Sequence, residues 1–303
     1  MKSATTQAHD TGAGTLVAPA FTQSHALPGI RDVLLVASGK GGVGKSTIAV
    51  NLACAMARNG VRISLLDADL YGPSVARMLG TEHAAHDVEG RVKPASAHGV
   101  YALSVANLLP PEAALVWKGP LIAQSVTQLF HDVAWPASDV LIVDLPPGTG
   151  DVQLSILEQV PISGALVVTT PQQLAVDDAA RAISLFHQRD VPVFGVVENM
   201  DCYVCPCCGE RQSLFPAGAG RQLTARTCVP HLGGVALDPA AQACADAGMP
   251  LVVARPDSDA AKAFVRLASA LANAIEQEQR ARERSADENT ERAHHAFWER
   301  LID

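Results

Sequence analysis

The sequence predicts an α/β fold of the doubly wound kind, a mostly parallel sheet with helices on both faces. Three observations predict it. Short, continuous apolar runs such as Val33-Leu34-Leu35-Val36-Ala37 have the character of strands buried on both faces. Stretches of helical periodicity separate these runs. Polar and acidic residues gather at the C-terminal ends of the runs, where open α/β sheets bind ligands. The composition agrees. Of 303 residues 48% are apolar and 18% charged, enough for a large core and too little charge for a mainly disordered chain.

In chain order, residues 1–30 are rich in Ala, Thr, Gly and His. They lack the apolar run of a secretory signal and read as a disordered leader. A single domain over 31–275 follows. Its first strand, 33–37, leads into a Gly-rich turn and a helix that runs to Arg58, closed by Asn59-Gly60. The next strand, 62–66, ends in Asp67-Ala68-Asp69. A helix is expected around 119–132, and a strand over 140–143 ends in Asp144. A helix at 151–159, a strand at 164–170, a helix at 173–189 and a strand at 191–197 continue the alternation. Later come a strand at 234–237, a further strand at 251–253, and a helix over 257–275. That helix carries Phe264, Leu267, Leu271 and Ile275 at core spacing. Residues 276–303 form a charged tail, helical or disordered, with a small apolar cluster of Phe297, Trp298, Leu301 and Ile302 that could dock on the body or on a partner. No stretch approaches the ~18 apolar residues of a membrane span.

Gly39-Lys40-Gly41-Gly42-Val43-Gly44-Lys45-Ser46 matches G-x-x-x-x-G-K-[ST], between an expected strand and an expected helix. Glycines let successive backbone N–H groups curl toward phosphate oxygens, and the helix N-terminus adds its dipole. Lys45 then reaches the β- and γ-phosphates, Ser46 ligates magnesium, and Thr47 contacts the α-phosphate. The pattern points to ATP. Asp144, at the end of an apolar run, reads as the carboxylate that holds magnesium. Asp69 is the candidate for orienting the attacking water. Asp67 divides between that chemistry and a turn role, and Asp151 opens a helix as its N-cap.

Seven cysteines make an odd number, no disulfide framework, and four fall between Cys202 and Cys208. Cys205 and Cys208 form C-x-x-C. Cys202 extends it to C-x-x-C-x-x-C and Cys207 adds a fourth thiol. Tetrahedral zinc or a [4Fe–4S] cluster takes four ligands. A second copy of the chain could supply the missing pair, or Cys202 or Cys207 with Cys228 could close a zinc site within one chain. Spacing does not separate these. Cys54, Cys228 and Cys244 read as core thiols.

With both motifs on the page, the chain resembles the Mrp/ApbC-type iron–sulfur cluster carriers. These are ATPases with a deviant phosphate loop, related to the nitrogenase iron protein and the septum-site and partition ATPases. The resemblance covers about 31–275. It rests on the loop with its extra Lys40, on Asp67 to Ser74, on Trp117-Lys118-Gly119-Pro120, on Asp144 to Leu154, on Thr170-Pro171-Gln172, and on Val197 to Met200 before the cysteines. It implies a cytoplasmic homodimer in which Lys40 reaches the partner's nucleotide. It also implies that Cys205 and Cys208 of two chains bridge a [4Fe–4S] cluster, that apo-proteins and scaffold proteins are partners, and that Asn199 contacts adenine. Cys207 stands where a histidine is common, Cys202 is an added thiol, and Pro216 to Gly220 departs from the family's glycine-rich stretch.

A partition ATPase would carry a basic surface or a basic amphipathic terminal helix. The formal net charge here is −8, which also weighs against nucleic acid and anionic membrane as partners. An ATPase with structural zinc is the second alternative. A reductase of the nitrogenase iron-protein type is the third, and its ligand cysteines are widely separated, unlike this pair.

Overall fold

The computed structural model describes residues 26–82, 86–88, 91–107, 125, 127–205, 207–216 and 218–302. The strands are β1 (Ile30–Ser38), β2 (Ile63–Asp67), β3 (His86–Val88), β4 (Arg91–Lys93), β5 (Ala95–Ala97), β6 (Val100–Ser104), β7 (Ser138–Asp144), β8 (Gly164–Thr169), β9 (Val193–Val204), β10 (Arg211–Gln212) and β11 (His231–Leu237). The helices are α1 (Lys45–Arg58), α2 (Val75–Leu79), α3 (Asp151–Gln159), α4 (Gln173–Gln188), α5 (Ala219–Thr227), α6 (Ala240–Asp246), α7 (Leu251–Ala254) and α8 (Asp259–Ile302).

One sheet runs in the order β10-β9-β8-β1-β7-β2-β6-β5, with β11 also paired to β9, while β3 and β4 pair separately. Its ladders are parallel except for β5 on β6 and β10 on β9. The apolar runs are continuous because both faces are covered. In β1, Leu34 and Val36 join a core with α1, α2, α7 and α8, whereas Val33, Leu35 and Ala37 face α3, α4 and α5. The same division repeats in β7 and β8. Phe264 of α8 and Phe186 of α4 are buried on opposite faces; truncating either to Ala would cost about 3–5 kcal/mol.

The chain returns from β1 through α1 to β2 on one flank and places β8 on the other. The phosphate loop therefore leaves a central strand at a topological switch, with Asp67 and Asp144 in register on adjacent strands.

Several elements differ from expectation. Residues 251–253 lie in helix α7, not in a strand. Pro250 precedes them, and the Val252 N–H donates to Asn51 Oδ1 at 3.0 Å, so α1 takes the group a strand would pair. Strand β9 continues to Val204 instead of stopping at Val197, because β11 pairs with it again where Leu237 meets Tyr203. Leu27, inside the expected leader, is buried, and Ile30 already pairs with Ser138. The cap position before α3 is Gly150, one residue ahead of Asp151. Of the helix expected over 119–132, residues 125 and 127–131 are helical, and 119–124 and 126 lie outside the described residues, as do Trp117 to Pro120. Helix α8 extends through the charged segment to Ile302; the side chains of Phe297, Trp298, Leu301 and Ile302 lie outside the described residues. No described helix is long and apolar enough to cross a membrane.

Candidate functional site

Gly39 to Gly44 curl from the end of β1 into α1, with Gly42 and Gly44 both at φ +80°. That left-handed conformation favours glycine. At Gly44 a Cβ would also collide with Asn199 Nδ2. The segment after β7 is tied to the end of β1 that feeds the loop, with Leu145 N donating to Val36 O and Gly148 N to Ser38 O at 2.9 Å.

Behind the loop, Lys45 Nζ donates to Asp144 Oδ1 at 2.7 Å and Ser46 Oγ to Asp144 Oδ2 at 2.5 Å. Lys45 and Asp144 are both buried. Burial pushes Asp144 up from the ordinary carboxylate range, against the opposing pull of Lys45 and Ser46. The pair of hard oxygens at Ser46 and Asp144 is of the kind magnesium takes.

Asp67 is wholly buried and accepts from Asp69 N, Ser74 N, Val75 N and Ser104 Oγ at 2.9–3.1 Å. It organises the turn into α2. Burial first, then the Asp144 charge, push it up to about 7. Asp69 is half-buried, accepts from Gly72 N at 3.2 Å, and adds to the charge felt by Asp144. Lys40 Nζ donates to Gln172 Oε1 of its own chain at 3.0 Å.

Beside the loop opens a cleft of about 470 Å³. Thr47, Asn199, Met200, Pro239, Ala260 and Phe264 are among the residues that line it. Asn199 is buried, and its Nδ2 donates to Val43 O at 2.9 Å, so β9 holds the loop directly. The Val235–Pro239 wall of this cleft is a part of the site that sequence reasoning misses. Asp238-Pro239 just beyond a short strand is the available signal, a polar turn at a strand C-terminus.

Farther along β9 the cysteines part ways. Cys202 is buried, accepts from Arg211 Nη2 at 3.0 Å, and is held up from the ordinary thiol range by burial and by Asp201. Cys205 opens the hairpin between β9 and β10. Its N–H donates to Glu210 O at 2.9 Å and its carbonyl accepts from Gly209 N at 2.8 Å. The N–H groups of Cys208 and Cys207 point at the Cys205 sulfur and draw its titration down, which favours thiolate. Cys207 and Cys208 are exposed. Among the described residues no three His, Cys, Asp or Glu side chains converge on a metal position within this one chain. Cys54 is buried as expected, pushed up to about 12 by burial. Cys228 is not a core thiol: it is exposed at the C-cap of α5, with φ +59°, and Cys244 is half-buried.

Residues 29–272 match the family described as ParA: NUBPL iron-transfer P-loop NTPase. The iron-sulfur cluster carrier protein of Deinococcus radiodurans is 51% identical over 252 residues, 82% of this chain and 71% of that protein. The Escherichia coli K12 protein of the same name is 39% identical over 246 residues, 80% of this chain and 67% of that one. A nucleotide-binding protein from Archaeoglobus fulgidus, solved in complex with ADP, is similar with a TM-score of 0.68 at 33% identity, covering 78% of this chain and 93% of that one. The cell division ATPase MinD of Pyrococcus furiosus shares the fold, with a TM-score of 0.58 at 22% identity over 80% of this chain and 98% of its own.

Proposed function

The chain belongs to the ParA/NUBPL family of iron-transfer P-loop NTPases, and on that premise we propose that it is an ATPase that carries a [4Fe–4S] cluster between two copies of itself and passes it to apo-proteins. The observation that carries this reading is a single strand. β9 holds the phosphate loop through Asn199 and, a few residues on, delivers Cys202 and Cys205 to the hairpin that presents Cys207 and Cys208.

In this reading the Gly39–Thr47 backbone wraps the phosphates and Lys45 leaves Asp144 to meet the β- and γ-oxygens. Ser46 and Asp144 would hold magnesium, which would neutralise developing phosphate charge. Asp69 orients the attacking water. Lys40 gives up Gln172 and reaches the partner's nucleotide, supplying charge in trans. Asn199 keeps its amide on Val43 and turns its oxygen to the adenine. Cys205 and Cys208 of each copy are the cluster ligands, with Cys207 the exposed alternative. Two thiolates per chain suit a four-thiolate centre only when two chains meet. Nucleotide-driven movement around Asp69 and Asp144 would then loosen or tighten the shared site.

Anaerobic reconstitution with iron and sulfide should give about one four-iron cluster per dimer. Cys205→Ala and Cys208→Ala should each lose it, and Lys45→Ala should lose ATP hydrolysis. Clusters retained by both cysteine variants, or stoichiometric zinc in anaerobically purified protein, would overturn the reading.

A further inference from the structure

The cysteine hairpin is held by little of its own structure. β10 is two residues long, and its ladder to β9 is the pair Arg211↔Val204 and Gln212↔Tyr203. Beyond the backbone bonds among Cys205, Gly209 and Glu210, the Arg211 side chain ties it to its surroundings. One guanidinium nitrogen donates to Cys202 Sγ at 3.0 Å, and the other meets Asp259 Oδ2 at 3.3 Å. Asp259 is the first residue of α8, and the next residue, Ala260, together with Phe264 one turn on, lines the nucleotide cleft. A short segment of chain thus joins the cleft wall to the thiol loop, with Arg211 as its middle member.

We propose that Arg211 is the positioning residue of the cysteine hairpin: it fixes the hairpin between Cys202 and the start of α8 and sets a permanent positive charge beside the thiols. The inference rests on the cluster-carrier reading above. Cys202 is then the buried anchor for the guanidinium and not a ligand, which leaves the exposed cysteines for the cluster. The geometry asks for arginine, since a planar fork can reach two partners at once and an ammonium is a single point. A [4Fe–4S] centre with four thiolates is anionic, and a nearby fixed cation raises its reduction potential.

The test compares reconstituted parent protein with Arg211→Gln, Arg211→Lys and Asp259→Asn, each first checked for native melting and ADP binding. Two quantities are read: the rate at which a ferrous chelator strips the cluster, and the midpoint potential. Arg211→Gln should lose its cluster about tenfold faster, the scale of one charge-assisted hydrogen bond, and its potential should fall. Arg211→Lys should restore the potential and leave the chelation rate raised. Asp259→Asn should raise the chelation rate without lowering the potential, because the guanidinium charge stays and the carboxylate paired with it is gone. A Gln variant that matches the parent in both readings overturns the inference while the carrier reading stands. A Gln variant that is merely misfolded is bypassed by the Lys and Asn pair, and parental values in both of those likewise overturn it. A parent that takes up no cluster removes the carrier reading and the inference together.

Discussion

Asp67 accepts four hydrogen bonds beside the phosphate loop, yet its charge is unwelcome there. It is fully buried and lies in register with Asp144, and its titration is pushed up to about 7 from an ordinary 3.8. The folded state therefore keeps a proton that the unfolded chain gives up near its ordinary value. The stability this contributes is complete below about pH 4 and is lost as pH rises toward about 7. Thermal unfolding of the nucleotide-free protein should show a melting temperature that declines across that interval, and Asp67→Asn should flatten the decline. Equal slopes in the two proteins would contradict the assignment. Asp139, drawn down to about 2 by Arg62, acts with the opposite sign and only in the more acid range, so it does not confuse the measurement. The turn role that sequence leaves as one of two options for Asp67 is visible in the four donors it serves.

Helix α8 runs from the cleft beside the phosphate loop to the starting ends of the central strands. Its first turns pack Phe264, Leu267 and Leu271 on the core, and its middle clamps the start of β1 and the approach to β8. There the Gln279 amide donates to Asp32, and Arg282 Nη2 donates to Ser163 O at 2.8 Å and Ile162 O at 3.3 Å. A chain stopped after Arg284 should melt like the parent. One stopped after Glu276 should melt roughly 5–10 °C lower, as two or three hydrogen bonds at about 1 kcal/mol each are lost. Parental melting in the shorter chain would show that the clamp contributes nothing. The sequence displays the core half of this helix through its periodicity, but the clamp looks like generic surface charge, because Asp32 and Ser163 are distant in sequence. The same logic separates the other elements. The strands at 33–37, 140–143 and 164–170 are legible because burial on both faces makes them continuous apolar runs. Leu251-Val252-Val253 is a run of the same look, and it misleads because a short apolar run has no period of its own; Pro250 and Asn51 decide it as helix. β6, with the exposed Tyr101 in its midst, carries no such run and escapes a reading by apolar runs. The Cys202–Arg211 contact depends on hairpin register, which spacing does not encode.

At the scale of the molecule, the proposed cargo site is half a site in each chain, and that makes a prediction about mixtures. The described residues of one chain gather no three metal-binding side chains, while each hairpin offers its thiols outward. If two copies share one cluster across a two-fold axis, cluster content depends on how often parent meets parent. Parent protein mixed with an equal amount of a Cys205→Ala/Cys208→Ala double variant, dissociated and reassociated before reconstitution, forms parent–parent pairs about one time in four. Iron bound per parent chain should then fall to about half that of parent alone, and should go on falling as the variant is raised in excess. A site completed within one chain would hold its iron per parent chain constant at every ratio. The measurement needs only iron and protein determinations after desalting. It tests the shared site without relying on ATP hydrolysis, so a failure of the nucleotide chemistry would not obscure the answer.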